Sequence, residues 1–243
     1  MSRIEEALKK AQQGNQDGGP ALEAPKRSKR RRRTKDEIAK LSYLATVRTN
    51  LQFSLTDVER PCVMFCSATR KEGVSTILYY ISQLMAAEYR TLVVDSNLLN
   101  PSLHEMYEVS NDKGLSDIYL RKASLEDCIQ STRFNGLDIL TTGQDPRECF
   151  RYMGSATAGK MLKDCRSRYE CILIDAPPVR DCPDTAALGA HCDGVVLVIR
   201  ARKTKKQIVQ YVQSQLANAG AHELGVVLNR MKYWVPGFIY RRL

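Results

Sequence analysis

The sequence predicts an α/β fold in which a doubly wound, mostly parallel sheet lies between two layers of helices. Short, nearly continuous apolar runs such as RTLVVD and YECILID are typical of strands that are buried on both faces of a parallel sheet. These runs alternate along the chain with segments long enough for helices, which is the pattern of α/β proteins. Both runs end in an aspartate, Asp95 and Asp175, at the position where open α/β sheets bind ligands.

The predicted elements follow one another in a regular order. A helix over Lys35–Leu55 comes first, and six strands with intervening helices come after it. The strands are predicted at Cys62–Cys66, Arg90–Asp95, Leu137–Thr141, Tyr169–Asp175, Gly194–Arg200 and Gly225–Asn229. The helices between them are predicted at Ser75–Glu88, Gly114–Leu120, Ser124–Gln130, Gly154–Arg168 and Thr204–Ala219. Repeated strand–helix–strand units imply right-handed crossovers between parallel strands.

Composition separates a nearly neutral body from a basic N-terminal segment. The chain has 243 residues and a formal charge of +10, and eight positive charges lie in the run Lys26–Lys35. The length suits one domain with extensions, predicted here as residues 36–243. No apolar stretch is long enough to span a membrane, and the N-terminus is too charged for a secretory signal. The eight cysteines form no C-x-x-C pair, which favours buried thiols in a reducing cytoplasm.

The N-terminal segment is predicted to have two parts. Residues 1–13 form a short amphipathic helix that opens with the capping-box pair Ser2 and Glu5, and it either frays or folds on a partner. Residues 14–35 form a disordered basic linker. Its basic run suits an anionic membrane surface, and a plain linker or a protein partner is the alternative. Nucleic acid is the least favoured partner, since no aromatic residues interleave with the arginines.

The stretch VMFCSATRKEGVSTI, which begins inside the first predicted strand, has the layout of a phosphate-binding loop. Such a loop needs glycine where backbone N–H groups surround phosphate oxygens, lysine on the β/γ-phosphates, and Ser or Thr on Mg²⁺. Gly73, Ser75 and Thr76 meet these needs, and Ala68 is small enough for the first glycine position. The lysine position, however, holds Val74. The scaffold of a nucleotide site is therefore present without its main cation.

The loop, Asp95, Asp175 and Asn229 are all predicted to lie at the carboxyl edge of one sheet. In a P-loop NTPase-like fold of three layers (αβα), an aspartate after such a strand holds Mg²⁺ through water, opposite the Ser or Thr of the loop. The convergence is far more specific than any single motif. Taken singly, each aspartate can also be a helix cap or a solvated carboxylate.

The chain resembles the bacterial tyrosine autokinases (BY-kinases) of capsular and exopolysaccharide biosynthesis, relatives of MinD- and ParA-type ATPases. The resemblance covers about Ser42 to Asn229. It sets RTNLQFS against the family's R-T-N-L-x-F, and CSATRKEGVST against its loop S-x-x-P-G-E-G-K-S-T. It sets VVDSNLLNPSLHEMY against D-x-D-x-R-x-P-x-x-H, ILIDAPPV against the Walker B strand, and DTAALGAHCDGVVLVIR against the D-x-x-x-L stretch. The N-terminal MSRIEEALKKA also resembles leaders on some of these kinases.

The resemblance implies a cofactor and a set of site residues. The cofactor is ATP or ADP with Mg²⁺, and Ser75 and Asp175 are the residues that face the metal. The positions implied to bind the nucleotide are Ala68, Gly73, Ser75, Thr76, Asp175 and Asn229. Asp95 is the catalytic acid if the chain is active. Tyr233 and Tyr240 are the phosphoacceptor candidates in a tail that has fewer tyrosines than the family's tail.

The chain departs from the family at positions that carry chemistry. Val74 replaces the loop lysine, Asn97 replaces the second carboxylate of D-x-D, and Leu99 replaces the arginine that follows. The oligomerisation pattern E-x-x-R-x-x-R keeps only its last member, Arg48. A loop lysine neutralises charge that builds up during transfer, and an amide cannot remove a tyrosine proton at neutral pH. Both losses predict impaired phosphoryl transfer, although Lys71 could swing onto the phosphates.

We therefore expect a pseudokinase that regulates or scaffolds exopolysaccharide assembly and export. The expected location is cytoplasmic and peripheral, at the inner face of the plasma membrane, with a membrane chain-length (polysaccharide co-polymerase) protein as partner. A homo-oligomer, or a hetero-oligomer with an active paralogue, is compatible with the sequence. Two alternatives stay open: an active tyrosine autokinase that uses Lys71, and a ParA/MinD-like surface-positioning ATPase that binds membrane or nucleoid through its basic run.

Overall fold

The computed structural model of the chain describes residues 35–144 and 146–231, and these residues form the predicted α/β architecture. The strands are β1 (Cys62–Ser67), β2 (Thr91–Asp95), β3 (Ile129–Ser131), β4 (Leu137–Leu140), β5 (Cys171–Asp175), β6 (Gly194–Arg200) and β7 (Glu223–Asn229). They form one sheet in the order β3-β4-β2-β5-β1-β6-β7. Every neighbouring pair is parallel except β3 and β4, which are antiparallel. The predictions for residues 1–34 and 232–243 lie outside the described residues.

Eight α-helices and one 3₁₀ helix lie between these strands or before them in the described part of the chain. The α-helices are α1 (Lys35–Ser54), α2 (Val74–Ala86), α3 (Leu103–Tyr107), α4 (Leu115–Tyr119), α5 (Leu125–Cys128), α6 (Ala156–Arg166), α7 (Asp184–Gly189) and α8 (Lys206–Asn218). The 3₁₀ helix is Pro146–Tyr152. The six predicted strands and the longer predicted helices are therefore confirmed, with ends shifted by a few residues.

The sequence interpretation was wrong in the segment Ser124–Gln130, which was predicted to be one helix. The helix α5 ends at Cys128 because the chain then turns into β3, which pairs with β4. Its start is fixed locally, since the Ser124 hydroxyl accepts the Asp127 N–H and the Asp127 carboxylate accepts the Ser124 N–H. The helices α3 and α7 and the 3₁₀ helix were not predicted, since segments of five to seven residues show too little helical periodicity.

Two apolar layers enclose the sheet. Successive side chains of a strand point to opposite faces, so Val63 and Phe65 of β1 join the layer under α1 and α2, whereas Met64 and Cys66 join the layer under α6 and α8. All four are 0–1% exposed, as the continuous apolar run predicts for a central parallel strand. Seven of the eight cysteines are buried, which confirms their interpretation as core thiols.

Within residues 35–144 and 146–231, no helix has both the length and the apolar character that crossing a bilayer requires.

Candidate functional site

The sheet topology brings the predicted site residues to one edge. β1 lies between β5 and β6, so the loop that follows β1 begins at the carboxyl edge of the sheet centre. The register of β2 and β5 places Asp95 directly beside Asp175. Asn229, at the end of β7, reaches the same loop, since its side-chain Nδ2 donates a hydrogen bond to the backbone oxygen of Glu72 at 2.7 Å. The convergence predicted from the strand ends is therefore present.

The loop turns through two left-handed residues before α2 begins. Gly73, which precedes the helix, has φ of +94°, and Lys71 has φ of +65°. A Cβ atom on residue 73 would lie 2.3 Å from Nδ2 of Asn229. Glycine is therefore required at position 73 both by the backbone conformation and by the close approach of Asn229.

A buried carboxylate holds the loop in shape, and sequence reasoning gave it no role. Glu72 accepts hydrogen bonds from the backbone N–H groups of Ala68 at 2.9 Å and Thr69 at 3.2 Å, and from the Thr69 hydroxyl at 3.1 Å. The hydroxyl of Thr204, between β6 and α8, donates to the same carboxylate. Ala68, predicted to contact nucleotide, thus directs its N–H to Glu72. The one feature of the sequence that could have indicated this role is the presence of a glutamate, Glu72, in a loop whose other residues suit an anion.

The two residues predicted to face magnesium are in contact. Ser75 Oγ donates a hydrogen bond to Asp175 Oδ2 at 2.5 Å. Asp175 is fully buried, and its other oxygen, Oδ1, has no hydrogen-bond partner among the described residues. A buried carboxylate oxygen without a partner is costly unless something else satisfies it. Hard oxygen donors of this kind fit Mg²⁺ or a water bound to it, so these residues suit the ion that the resemblance implies.

Burial perturbs both aspartates at this edge. Desolvation raises the pKa of Asp95 to about 6, although the backbone N–H groups of Leu103, Asn97 and Ser102 donate to its carboxylate and oppose the shift. Desolvation also raises the pKa of Asp175 well above its usual range, and the negative charge of Asp95 adds to that effect. Both shifts favour the neutral carboxyl over the charged carboxylate.

This perturbation predicts that the nucleotide-free and magnesium-free protein is more stable to urea at pH 6 than at pH 8. The pKa values in the folded state lie above the unfolded value of about 3.9, so the folded state binds more protons in this range, and stability is lost as pH rises through them. Urea midpoints measured from pH 8 to 6 test the prediction. Asp175→Asn should flatten the profile, whereas the exposed-residue control Asp57→Asn should retain it. A wild-type midpoint that is constant or falls toward pH 6 would contradict it.

Beside the loop lies a cavity of about 310 Å³. It is lined by residues 70–76 together with Ser67, Asn97, Ser102, Met106, Ala176 and Pro178. Of the residues that the resemblance implies to bind nucleotide, Gly73, Ser75 and Thr76 line this cavity. Asp175, Ala68 and Asn229 do not line it and contact the loop or its first helical turn instead. A cavity of this volume can hold a small polyanion such as the phosphates of a nucleotide.

Val74 brings an apolar side chain to the position of the loop lysine. It is 8% exposed and belongs to the apolar layer shared with α1 and α2. The cationic side chains that line the cavity, within the described residues, are those of Arg70 and Lys71. Arg70 Nε pairs with Asp181 Oδ2 at 2.8 Å. The loop thus keeps cations at its rim but not at the first residue of α2.

Asn97 lines the cavity with an amide where the family pattern has a carboxylate. Its backbone N–H donates to Asp95 Oδ1 at 3.1 Å. Its side-chain Oδ1 is buried and has no hydrogen-bond partner in the part of the chain that the structure describes. An amide oxygen accepts a hydrogen bond but does not take up a proton at neutral pH, so Asn97 cannot serve as a general base.

The fold and the strand–loop–helix site define a P-loop NTPase-like α/β protein. The fold is similar to that of the septum site-determining protein MinD complexed with Mg-ADP from Pyrococcus horikoshii, with a TM-score of 0.61 and 22% identity over 75% of this chain and 76% of that one. In sequence, the chain is 30% identical over 188 residues to tyrosine-protein kinase YwqD of Bacillus subtilis, which covers 77% of this chain and 79% of that kinase. The chain belongs to the bacterial tyrosine autokinase (BY-kinase) family.

A solved kinase domain supports the same assignment. The VpsO kinase domain superimposes with a TM-score of 0.70 and 30% identity, and the match covers 81% of this chain and 98% of that domain. No protein-family model matches the chain. The match extends over nearly all of that kinase domain.

Proposed function

We propose that this chain is a nucleotide-binding pseudokinase of the BY-kinase family that regulates or scaffolds exopolysaccharide and capsule synthesis. The observation that carries the proposal is the contrast within one loop. Val74 is packed into the apolar layer at the position of the loop lysine, while Ser75 and Asp175, the groups suited to magnesium, remain in contact at 2.5 Å. The chain thus retains the groups that would hold Mg²⁺ and a nucleotide, and it lacks the lysine that would accelerate phosphoryl transfer.

Binding is assigned to the loop and to the helix behind it. The backbone N–H groups at the start of α2 have no partner earlier in the helix and carry the positive end of the helix dipole, which favours phosphate. Glu72 and Asn229 fix the loop in the shape that exposes these groups. When bound, Mg²⁺ would supply positive charge that offsets the charge of the phosphates. Ser75 and Asp175 would orient it.

Transfer is impaired at two positions that act on different parts of the reaction. A cation on the β/γ-phosphates stabilises the charge that develops in the transition state, and removing one such contact costs about 10²–10³ in rate. Loss of a general base costs a further factor of about 10²–10⁴. Since residues of one site do not contribute additively, the product of these factors is an upper bound. Either loss alone makes transfer slow.

The setting of this function is proposed from the family. A membrane chain-length (polysaccharide co-polymerase) protein is the proposed partner, with the chain held in the cytoplasm at the inner face of the plasma membrane. The basic run Lys26–Lys35 supports this location, since each basic residue near an anionic surface contributes about 1 kcal/mol of attraction. Assembly with copies of itself or with an active paralogue is part of the same proposal.

An active tyrosine autokinase is the second candidate, and one observation favours it. Lys71 lines the cavity and could supply the missing cation. This candidate still needs a base in place of Asn97. It predicts that phosphate transfer is measurable in the wild-type protein and is lost in Lys71→Ala.

Titration and transfer assays on the purified full chain separate the two candidates. We expect ADP and ATP to bind in the presence of Mg²⁺ and more weakly with EDTA, because Asp175 and Ser75 act through the metal. We expect phosphate incorporation from labelled ATP to match that of a Tyr233→Phe/Tyr240→Phe control. Robust wild-type labelling of Tyr233 or Tyr240 would refute the pseudokinase, and absence of nucleotide binding at millimolar Mg²⁺ would refute a nucleotide-binding role.

A further inference from the structure

We propose that Lys71 has taken over the phosphate-binding role of the missing loop lysine, so that the chain binds nucleotide through a cation at the rim of the loop. The inference rests on the proposed function, because it names the side chain that gives this site its affinity. Lys71 would contact the nucleotide phosphates directly and supply binding, while transfer stays impaired because Asn97 provides no base.

The charges around the cavity create the need for such a cation. Glu72 lies within the loop, and Asp95 and Asp175 lie behind it, and all three are 0–2% exposed. Val74 adds no charge. A nucleotide polyphosphate that enters this cavity therefore approaches three buried carboxyl groups, and a cation beside the phosphates would add to the positive charge of Mg²⁺ and of the N-terminus of α2.

Two cationic side chains of the described residues line the cavity, and they differ in their availability. Arg70 is already paired, with its Nε 2.8 Å from Asp181 Oδ2. Lys71 is exposed and makes neither a hydrogen bond nor an ion pair with any of the described residues. A lysine ammonium on its flexible stem is a mobile point charge with three donors, suited to phosphate. Lys71 is thus the cation that can turn to a ligand without breaking an existing contact.

The position of Lys71 also explains why valine is tolerated at residue 74. Lys71 lies three residues before Val74, and both residues line the cavity. Val74 packs into the apolar layer of α1 and α2, which a charged side chain would have to leave. A cation at residue 71 restores positive charge at the phosphates while the start of α2 stays packed. The positive charge would then lie at residue 71 in the loop rather than at residue 74, the first residue of α2.

Calorimetric titration of ADP with Mg²⁺ into the full chain tests the inference. Lys71→Met keeps the stem and the Cβ atom at φ of +65° but removes the charge, and we expect it to weaken binding at least tenfold. Lys71→Arg should keep most of the affinity. Arg70→Met is the matched control at the other rim cation, and we expect less than a threefold change. Val74→Lys added to Lys71→Met should restore binding.

The outcomes separate this inference from the function on which it rests. Equal affinity of wild type and Lys71→Met would overturn the role of Lys71 and leave the nucleotide-binding pseudokinase standing. An equally large loss of ADP affinity in Arg70→Met and Lys71→Met would also overturn it, because binding would then depend on the general positive charge of the loop rather than on Lys71 in particular. Failure of the wild type to bind ADP with Mg²⁺ would overturn both.

Discussion

The double variant Val74→Lys/Asn97→Asp is expected to transfer phosphate from ATP at least about 10²-fold faster than the wild-type protein, since it restores both a phosphate cation and a carboxylate base. Both residues line the cavity, so each new side chain has access to it. A lysine at residue 74 can leave its stem against the apolar layer and extend its ammonium outward, as long basic side chains do at apolar surfaces. ATP turnover and labelling of a tyrosine-containing peptide are the readouts.

Single variants and an uncharged control make this result interpretable. Val74→Met has an unbranched apolar stem without charge, so it reports any effect of repacking at the start of α2. Asn97→Asp alone tests whether the base is sufficient when Lys71 supplies the cation. Thermal unfolding of each variant shows whether the lysine disturbs the layer of α1 and α2. A folded double variant that binds ATP yet transfers no faster than wild type would show that neither lost group limits the reaction.

The position of the site at the carboxyl edge of the sheet could be predicted from the sequence, because it depends on local patterns of apolar residues. Apolar runs that end in Asp95 and Asp175 give strand ends, and parallel strands place those ends together. The need for glycine at residue 73 could also be predicted, because a tight turn before a helix needs a residue in the left-handed conformation.

What the sequence did not reveal depends on contacts between distant segments. The Glu72 carboxylate accepts a hydrogen bond from Thr204, which lies 132 residues away in the sequence. Sequence periodicity does not predict a pair of residues that are so far apart. The same is true of Arg70 and Asp181. The short antiparallel strand β3 was missed because three residues carry no period, and its pairing with β4 defines it. Prediction failed where structure comes from long-range pairing rather than from the local chain.

Asp175→Asn is expected to weaken Mg²⁺-dependent ADP binding by about 10- to 100-fold, the usual cost of removing a group that orients a metal or its water. The amide can still accept the hydrogen bond from Ser75 Oγ, so the 2.5 Å contact can persist while the charge is lost. Binding measured with EDTA should change little, because the variant removes a metal contact rather than a phosphate contact. Asp57→Asn is the control, since Asp57 is exposed and does not line the cavity.

The stability of this variant distinguishes lost ligation from lost folding. Asp175 is fully buried and its pKa is raised by desolvation, so its charged form opposes folding at pH 8. Asp175→Asn should therefore be at least as stable to urea as the wild type at pH 8, while it binds ADP with Mg²⁺ more weakly. A stable variant with unchanged Mg²⁺ dependence would contradict the assignment of Asp175 to the metal. A destabilised variant would instead show that its carboxylate is needed for the fold, and the physical basis of the proposed site would be lost.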